Sequence, residues 1–313
     1  MVGSRMIDGF TALTLSSPGD GDLEASFVPD AGMVGCSLRH RGEELLGLRG
    51  GLKRYVSERS TMGIPLLHPW ANVVSQRRFS VAGAEVDLDR AVPPPHEDEN
   101  GLPIHGLLSG ITGWEVLRHE SSAAGALLAA RFDFGENPAL MAAFPFAHIV
   151  EFEAKLKGPT LTITTTVTPT GDRAIPISFG YHPYFRLPGI PRSEWEVEIP
   201  VTERVVVDSR MLPTGATEAT EVVSGRLGDR TFDDLYPAPP SNAPLVLAGG
   251  GRRIELAMDS GYPFAQVYAP AVDDVVALEP MTAPINALVS GSDLQIVQPG
   301  EDYAAAFSIG VSG

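Results

Sequence analysis

The stretch Ala143–Gly189, AFPFAHIVEFEAKLKGPTLTITTTVTPTGDRAIPISFGYHPYFRLPG, decides the fold class. Val150, Phe152, Ala154 and Leu156 alternate with Glu151, Glu153 and Lys155. Lys157-Gly158-Pro159 breaks the run, and Leu161, Ile163, Thr165 and Val167 then alternate with Thr162, Thr164 and Thr166. Side chains on a strand point to opposite faces in turn, so a period of two marks two strands, each with one buried face. The spacing predicts a β-hairpin that leads into Gly180-Tyr181-His182-Pro183-Tyr184-Phe185. That segment reads as a stiff loop, in which a φ-locked proline and aromatic rings hold one titratable imidazole.

Outward from the hairpin, short alternating segments recur between turn residues. They are Glu24–Val28, Glu196–Val201, Val205–Asp208, Arg253–Met258, Ala265–Tyr268, Val275–Leu278 and Asp293–Val297. The 33 Gly and 27 Pro are spread along the chain rather than pooled in a linker. Many short strands with regular turn signals mean an all-β sandwich or barrel. Tyr303–Val311 reads as a closing strand. Helical periodicity is poor. The best candidate, Ser121–Arg131, is interrupted by Gly125 and also fits a strand, and Ala139–Ala143 fits a single helical turn. With no internal repeat and no composition shift, residues 1–313 are expected to form one domain.

A chain of 313 residues buries about three quarters of its unfolded surface, so its core needs no staples. Cys36 is the one cysteine, which excludes a disulfide within the chain. A small buried apolar role is expected for it. A formal net charge of −16 opposes nucleic acid and anionic membrane surfaces as partners. The start, MVGSRMIDGF, lacks the apolar run of a signal peptide. No apolar run reaches the ~18 residues of a membrane span. A soluble, cytoplasmic protein is the expectation.

Several residues stand out as carriers of chemistry. Val275–Leu278 is apolar and Glu279 follows it, with Pro280 expected to end the strand. A carboxylate at the tip of a buried strand is costly unless paired or functional. Burial raises its pKa toward that of a useful general base. His105 precedes Gly106, a residue that admits close approach of a backbone or ligand. His182 sits among aromatic rings, whereas His68, beside Pro69 and Trp70, reads more readily as packed. His40, His96, His119 and His148 read as surface residues. Trp70, Tyr181, Tyr184, Phe185, Tyr236 and Tyr268 recur around these places. Aromatic faces suit the C–H faces of sugars, while Asp233, Gln266 and Arg77 or Arg78 suit hydroxyls. Together they describe a pocket for a neutral, hydroxyl-rich ligand. No G-x-G-x-x-G or P-loop supports nucleotide binding, and no G-x-S-x-G, H-E-x-x-H or C-x-x-C is present. A metal on His105, His182 and Glu279 fits by ligand type, but no spacing specifies one.

FPF at Phe144–Phe146, the Leu156–Gly158 hairpin, GYHPYF and the LEP at Leu278–Pro280 together resemble the aldose 1-epimerase (galactose mutarotase) family. The HG at His105-Gly106, QVY at Gln266–Tyr268 and PGE at Pro299–Glu301 follow in the family's order. The resemblance runs from about Gly63 to Phe307. It implies a large twisted antiparallel β-sandwich, the galactose mutarotase-like supersandwich, with a sugar groove on one sheet. By position, His182 matches the family's general acid, Glu279 its general base and His105 the second histidine at the sugar. Asp233, or its neighbour Asp234, matches a hydroxyl-binding carboxylate, and Gln266 a residue lining the groove. Asn72, Trp70 and Tyr184 join the expected sugar contacts. The family's Asn-Arg is Asn72-Val73 here, and Arg78 or Arg77 is the candidate to replace the missing arginine.

The resemblance implies interconversion of α and β anomers of an aldose without cofactor or metal, by a monomer or homodimer. A hexose-6-phosphate 1-epimerase is the close rival, with Arg77, Arg78, Lys53 and Arg54 as phosphate ligands. A non-catalytic carbohydrate-binding protein on the same scaffold is the second.

Overall fold

The structure is a computed structural model that describes residues 1–17, 19 and 21–313. The hairpin forms as its alternation requires. His148–Lys157 pairs antiparallel with Thr160–Pro169, with Phe152 opposite Thr165 and Leu156 opposite Leu161. The two strands lie within a nine-stranded antiparallel sheet. On one side they continue to Gly125–Asp133 and the edge strand Glu115–Ser122. On the other, Tyr303–Ser312 closes against Thr160–Pro169 and carries the sheet on to Arg252–Ser260, Leu245–Gly249, Glu196–Ile199 and Val223–Arg226.

Ser121–Arg131 is not helical. It spans the turn between two strands, and Gly125, at φ +119°, opens the second of them. A side chain at Gly125 would meet the Leu156 carbonyl oxygen at 2.5 Å, so the glycine marks close strand packing. The single turn read at Ala139–Ala143 does form, as the helix Pro138–Ala143, and Asn137 caps its first turn through Leu140 N–H.

A six-stranded sheet packs on the first. Its order is Phe232–Pro237, Phe264–Ala269, Val276–Met281, Gly180–Tyr181 and Leu66–Leu67, with Tyr184–Phe185 also on Val276–Met281. GYHPYF is therefore two short strands of this sheet joined through His182-Pro183, not a free loop. Val276–Met281 runs on through Pro280, which pairs with Ala265, so the proline does not end it. A five-stranded N-terminal sheet covers residues between Val2 and Glu44.

One hydrophobic cluster joins all three sheets, with Phe27, Phe152, Ile163, Phe307, Val267 and Leu278 among its members. Tyr181 ties two of them, since its hydroxyl lies 2.7 Å from Thr165 Oγ1 and its ring 5.0 Å from Phe307. The result is an all-β sandwich. Cys36 is buried in a smaller cluster with Leu52 and Tyr55 of the helix Gly51–Glu58, and burial raises its thiol pKa to about 12. Among the described residues, no helix is long and apolar enough to cross a membrane.

Candidate active site

Alternation gives the six-stranded sheet two distinct faces. Val267, Val276, Leu278 and Phe185 point into the main core. Their neighbours point the other way, and the register sets them side by side. Asp233 lies opposite Tyr268, Gln266 opposite Glu279, and Tyr184 opposite Ala277. This second face floors a cavity of about 310 Å³. His182, Glu279, His105, Asp233, Asn72 and Tyr184 all line it. The same pleat separates the two candidate aspartates. Asp234 falls on the opposite face and pairs with Arg204 at 2.6 Å, so Asp233 is the one at the cavity.

His182 and Glu279 are in direct contact, with Nε2 3.1 Å from Oε1. Both are buried. Burial disfavours either charge, pushing Glu279 well above the usual carboxylate range and His182 well below the usual imidazole value. Asp233 adds to the rise at Glu279, and His105 and then Arg49 add to the fall at His182. The pair thus holds one proton between its members with no net charge. Among the described residues, Glu279 Oε2 and His182 Nδ1 have no hydrogen-bond partner, and both are sealed from solvent.

His105 stands edge-on to His182, with ring centroids 5.3 Å apart. Its backbone is left-handed, at φ +64°, and its N–H donates to the Asn72 carbonyl at 3.0 Å. Gly106 follows, and here the close approach is to backbone: an added Cβ would sit 2.3 Å from the His68 carbonyl oxygen. Burial lowers the His105 pKa to about 3, so it acts as a neutral imidazole. Asn72 Oδ1 accepts from Val73 N–H at 2.8 Å, which orients its amide. Gln266 is buried behind the floor and donates to Asp233 Oδ1 at 2.6 Å, so it steers Asp233 rather than lining the cavity.

The aldose 1-epimerase family model matches residues 31–310. The chain belongs to the aldose 1-epimerase family. The uncharacterized protein YihR of Escherichia coli K12 is 24% identical over 268 residues, covering 79% of this chain and 80% of that protein. A galactose mutarotase-like protein from Clostridium acetobutylicum superposes with a TM-score of 0.83 at 20% identity, over 100% of this chain and 98% of that one. A galactose 1-epimerase from Lactobacillus acidophilus NCFM gives 0.77 at 14% identity, over 100% and 98%. At these identities the solved structures establish a common fold.

Within this aldose 1-epimerase family fold, some expected contacts lie elsewhere. Trp70 is wholly buried in the main core, bridged to Ser178, and offers no face to a sugar. Arg78 is mostly exposed and pairs with Asp87 and Asp89, each at 3.1 Å. Arg77 is tied to Asp89 and Glu97 at 2.6 Å each. Neither arginine lines the cavity. The arginine that does line the cavity is Arg49, which no local motif announced. Thr61 also lines the cavity, as does the acidic run His96–Glu99. His148 and His40 are buried rather than on the surface. His148 Nδ1–H donates to the Phe146 carbonyl at 2.6 Å, so its Nε2 accepts from His68 Nε2–H at 2.7 Å. The alternation that buries Val150 and Phe152 reaches back to position 148, and extending the period by one step would have found this histidine.

Proposed function

We propose that this protein interconverts the α and β anomers of a free aldose by opening and reclosing its ring. The observation that supports this best is the contact between His182 and Glu279 on the wall of a cavity that can take one sugar. The anomeric hydroxyl and the ring oxygen share one carbon, so adjacent acid and base groups reach both. Glu279 takes the proton from the anomeric hydroxyl while His182 delivers one to the ring oxygen. The bond from the anomeric carbon to the ring oxygen breaks and the aldehyde forms. Rotation about the next carbon–carbon bond presents the other face, and reclosure reverses both transfers. The pair's proton count and charge are the same before and after, which suits a buried site. A positioned acid or base contributes about 10²–10⁴ in rate. His105, as a neutral donor beside His182, stabilises charge gathering on the ring oxygen. Asp233 and Asn72 hold sugar hydroxyls.

Charge favours an unphosphorylated sugar. Glu97, Asp98, Glu99 and Asp233 line the cavity, and among the described residues Arg49 is the one arginine or lysine there, itself paired with Asp273. Arg77 and Arg78 are committed to carboxylates, and Arg54 to Glu58. A phosphate dianion would need cations free to pair with it.

Polarimetry on freshly dissolved α-D-galactose and α-D-glucose tests the proposal. Glu279→Gln should lose at least 10²-fold in rate while retaining sugar binding. An unchanged rate in that variant removes Glu279 as base. Sugar binding by the native protein without faster anomer exchange would identify a binding module instead.

A further inference from the structure

We propose that Tyr184 is a positioning residue for His182, held by Arg49 and Thr61 so that its hydroxyl stays bonded to the imidazole in both protonation states of the reaction. The inference rests on the acid–base role of His182 proposed above.

The Tyr184 ring stacks on the His182 ring, with centroids 4.1 Å apart and planes inclined by 17°. Its hydroxyl lies 3.2 Å from His182 Nε2 and 2.6 Å from Thr61 Oγ1. Arg49 Nη1 donates to the same oxygen at 3.2 Å, and its guanidinium carbon sits 5.2 Å from the ring centroid. Arg49 is anchored in turn by Asp273, 3.3 Å from its Nε. Tyr184 and Thr61 are both buried.

A phenol has one proton and two acceptor sites. Arg49 only donates, so it takes one acceptor site permanently. The remaining acceptor site and the proton are divided between Thr61 and His182. When Nε2 carries a proton, Tyr184 accepts from it beside Glu279 Oε1 and donates to Thr61. Once that proton has gone to the ring oxygen, Tyr184 turns its own proton to the bare Nε2 and accepts from Thr61. Both hydroxyls rotate, so the exchange moves no heavy atom. The exchange keeps Tyr184, Thr61 and His182 paired with one another in both states, each such bond being worth about 0.5–1.5 kcal/mol. Three partners also fill the phenol oxygen, which leaves it nothing for a sugar hydroxyl.

The groups facing His182 are Glu279 at Nε2, the His105 ring, the Tyr268 ring at 6.0 Å, and Arg49 across Tyr184. Asp233 acts on it through Glu279. Of these, the fixed positive charge of Arg49 disfavours imidazolium and makes His182 the readier proton donor.

The experiment compares Tyr184→Phe, Thr61→Val, Thr61→Ser and Arg49→Gln with the native protein. Polarimetry gives kcat and KM across pH, and ¹⁵N NMR gives the tautomer and titration of the His182 imidazole in the free protein. Tyr184→Phe and Thr61→Val should each lower kcat about tenfold, the worth of one hydrogen bond, with KM within twofold. Thr61→Ser, which keeps the rotor, should restore the rate. Arg49→Gln should move the His182 titration upward. A raised KM with unchanged kcat in Tyr184→Phe would make Tyr184 a sugar contact and overturn the inference. So would His182 NMR signals unmoved by both Tyr184→Phe and Thr61→Val. If the native protein exchanges no anomers, the catalytic proposal fails, and the NMR result alone still decides whether Tyr184 and Thr61 govern His182.

Discussion

Gly106→Ala tests whether close backbone packing fixes the position of His105. Gly106 has φ +75°, and an added Cβ would lie 2.3 Å from the His68 carbonyl oxygen and 2.4 Å from its carbonyl carbon. These are main-chain atoms, and Leu107 N–H already holds that carbonyl at 2.7 Å. No side chain can swing aside to make room. The left-handed conformation costs alanine about 1–2 kcal/mol, and relieving the overlap adds ~1–3 kcal/mol, as overpacking does. Together they predict a loss of about 2–5 kcal/mol. Gly83 provides the control: its φ is also +75°, but its Cβ would meet nothing within 4 Å. Gly83→Ala should therefore show only the first cost. Urea unfolding of both variants isolates the contact as the difference between them. Activity gives an independent measure, because His105 precedes Gly106 directly. A displacement on the order of 1 Å in a catalytic group costs about 10²-fold, so polarimetric rates should collapse in Gly106→Ala and persist in Gly83→Ala. Equal destabilisation of the two, with a full rate in Gly106→Ala, would refute the reasoning.

Glu279→Gln should be at least as stable as the native protein while losing activity, since it removes a buried carboxylate whose Oε2 has no partner; thermal melts check this. Asp233→Asn should raise KM about tenfold with a smaller change in kcat. Asp234→Asn, which removes only the partly exposed pair with Arg204, should leave KM alone and change stability by less than about 1 kcal/mol in urea. Stability should also fall in acid. Burial lowers His105 to about 3 and His148 to about 4 from an ordinary 6.5, so below that value the unfolded chain binds protons that the folded chain refuses. The contribution is complete above pH 6.5 and shrinks as pH drops toward 4, by about 2 kcal/mol per group at pH 5. Urea midpoints that are flat between pH 7.5 and 5 would contradict it.

The sequence revealed what repeats locally and hid what depends on distant partners. Val150–Leu156 and Leu161–Val167 were legible because every second side chain meets one core. Glu279 and His182 were legible as polar groups set in apolar or aromatic runs, and the structure brings both to one cavity. Ser121–Arg131 was ambiguous because its alanines suit either period, and only the pairing across the sheet shows that Gly125 begins a strand. The choice between Asp233 and Asp234 depended on which face of the strand meets the core, and adjacent letters do not carry that. Arg49 reaches Tyr184 across 135 positions in the chain. No window of neighbours could have shown that pairing, or that Arg77 and Arg78 spend their charges on nearby carboxylates.

The pleat that separates Glu279 from Leu278 makes function a sensitive gauge of alignment. Slipping Val276–Met281 by a single residue against Phe264–Ala269 would carry a carboxylate into the greasy interior and leave an isobutyl group facing the ligand. No misthreaded species could retain partial turnover. As denaturant rises, turnover and core packing should therefore vanish along the same curve, and a simple sugar assay would count correctly assembled molecules.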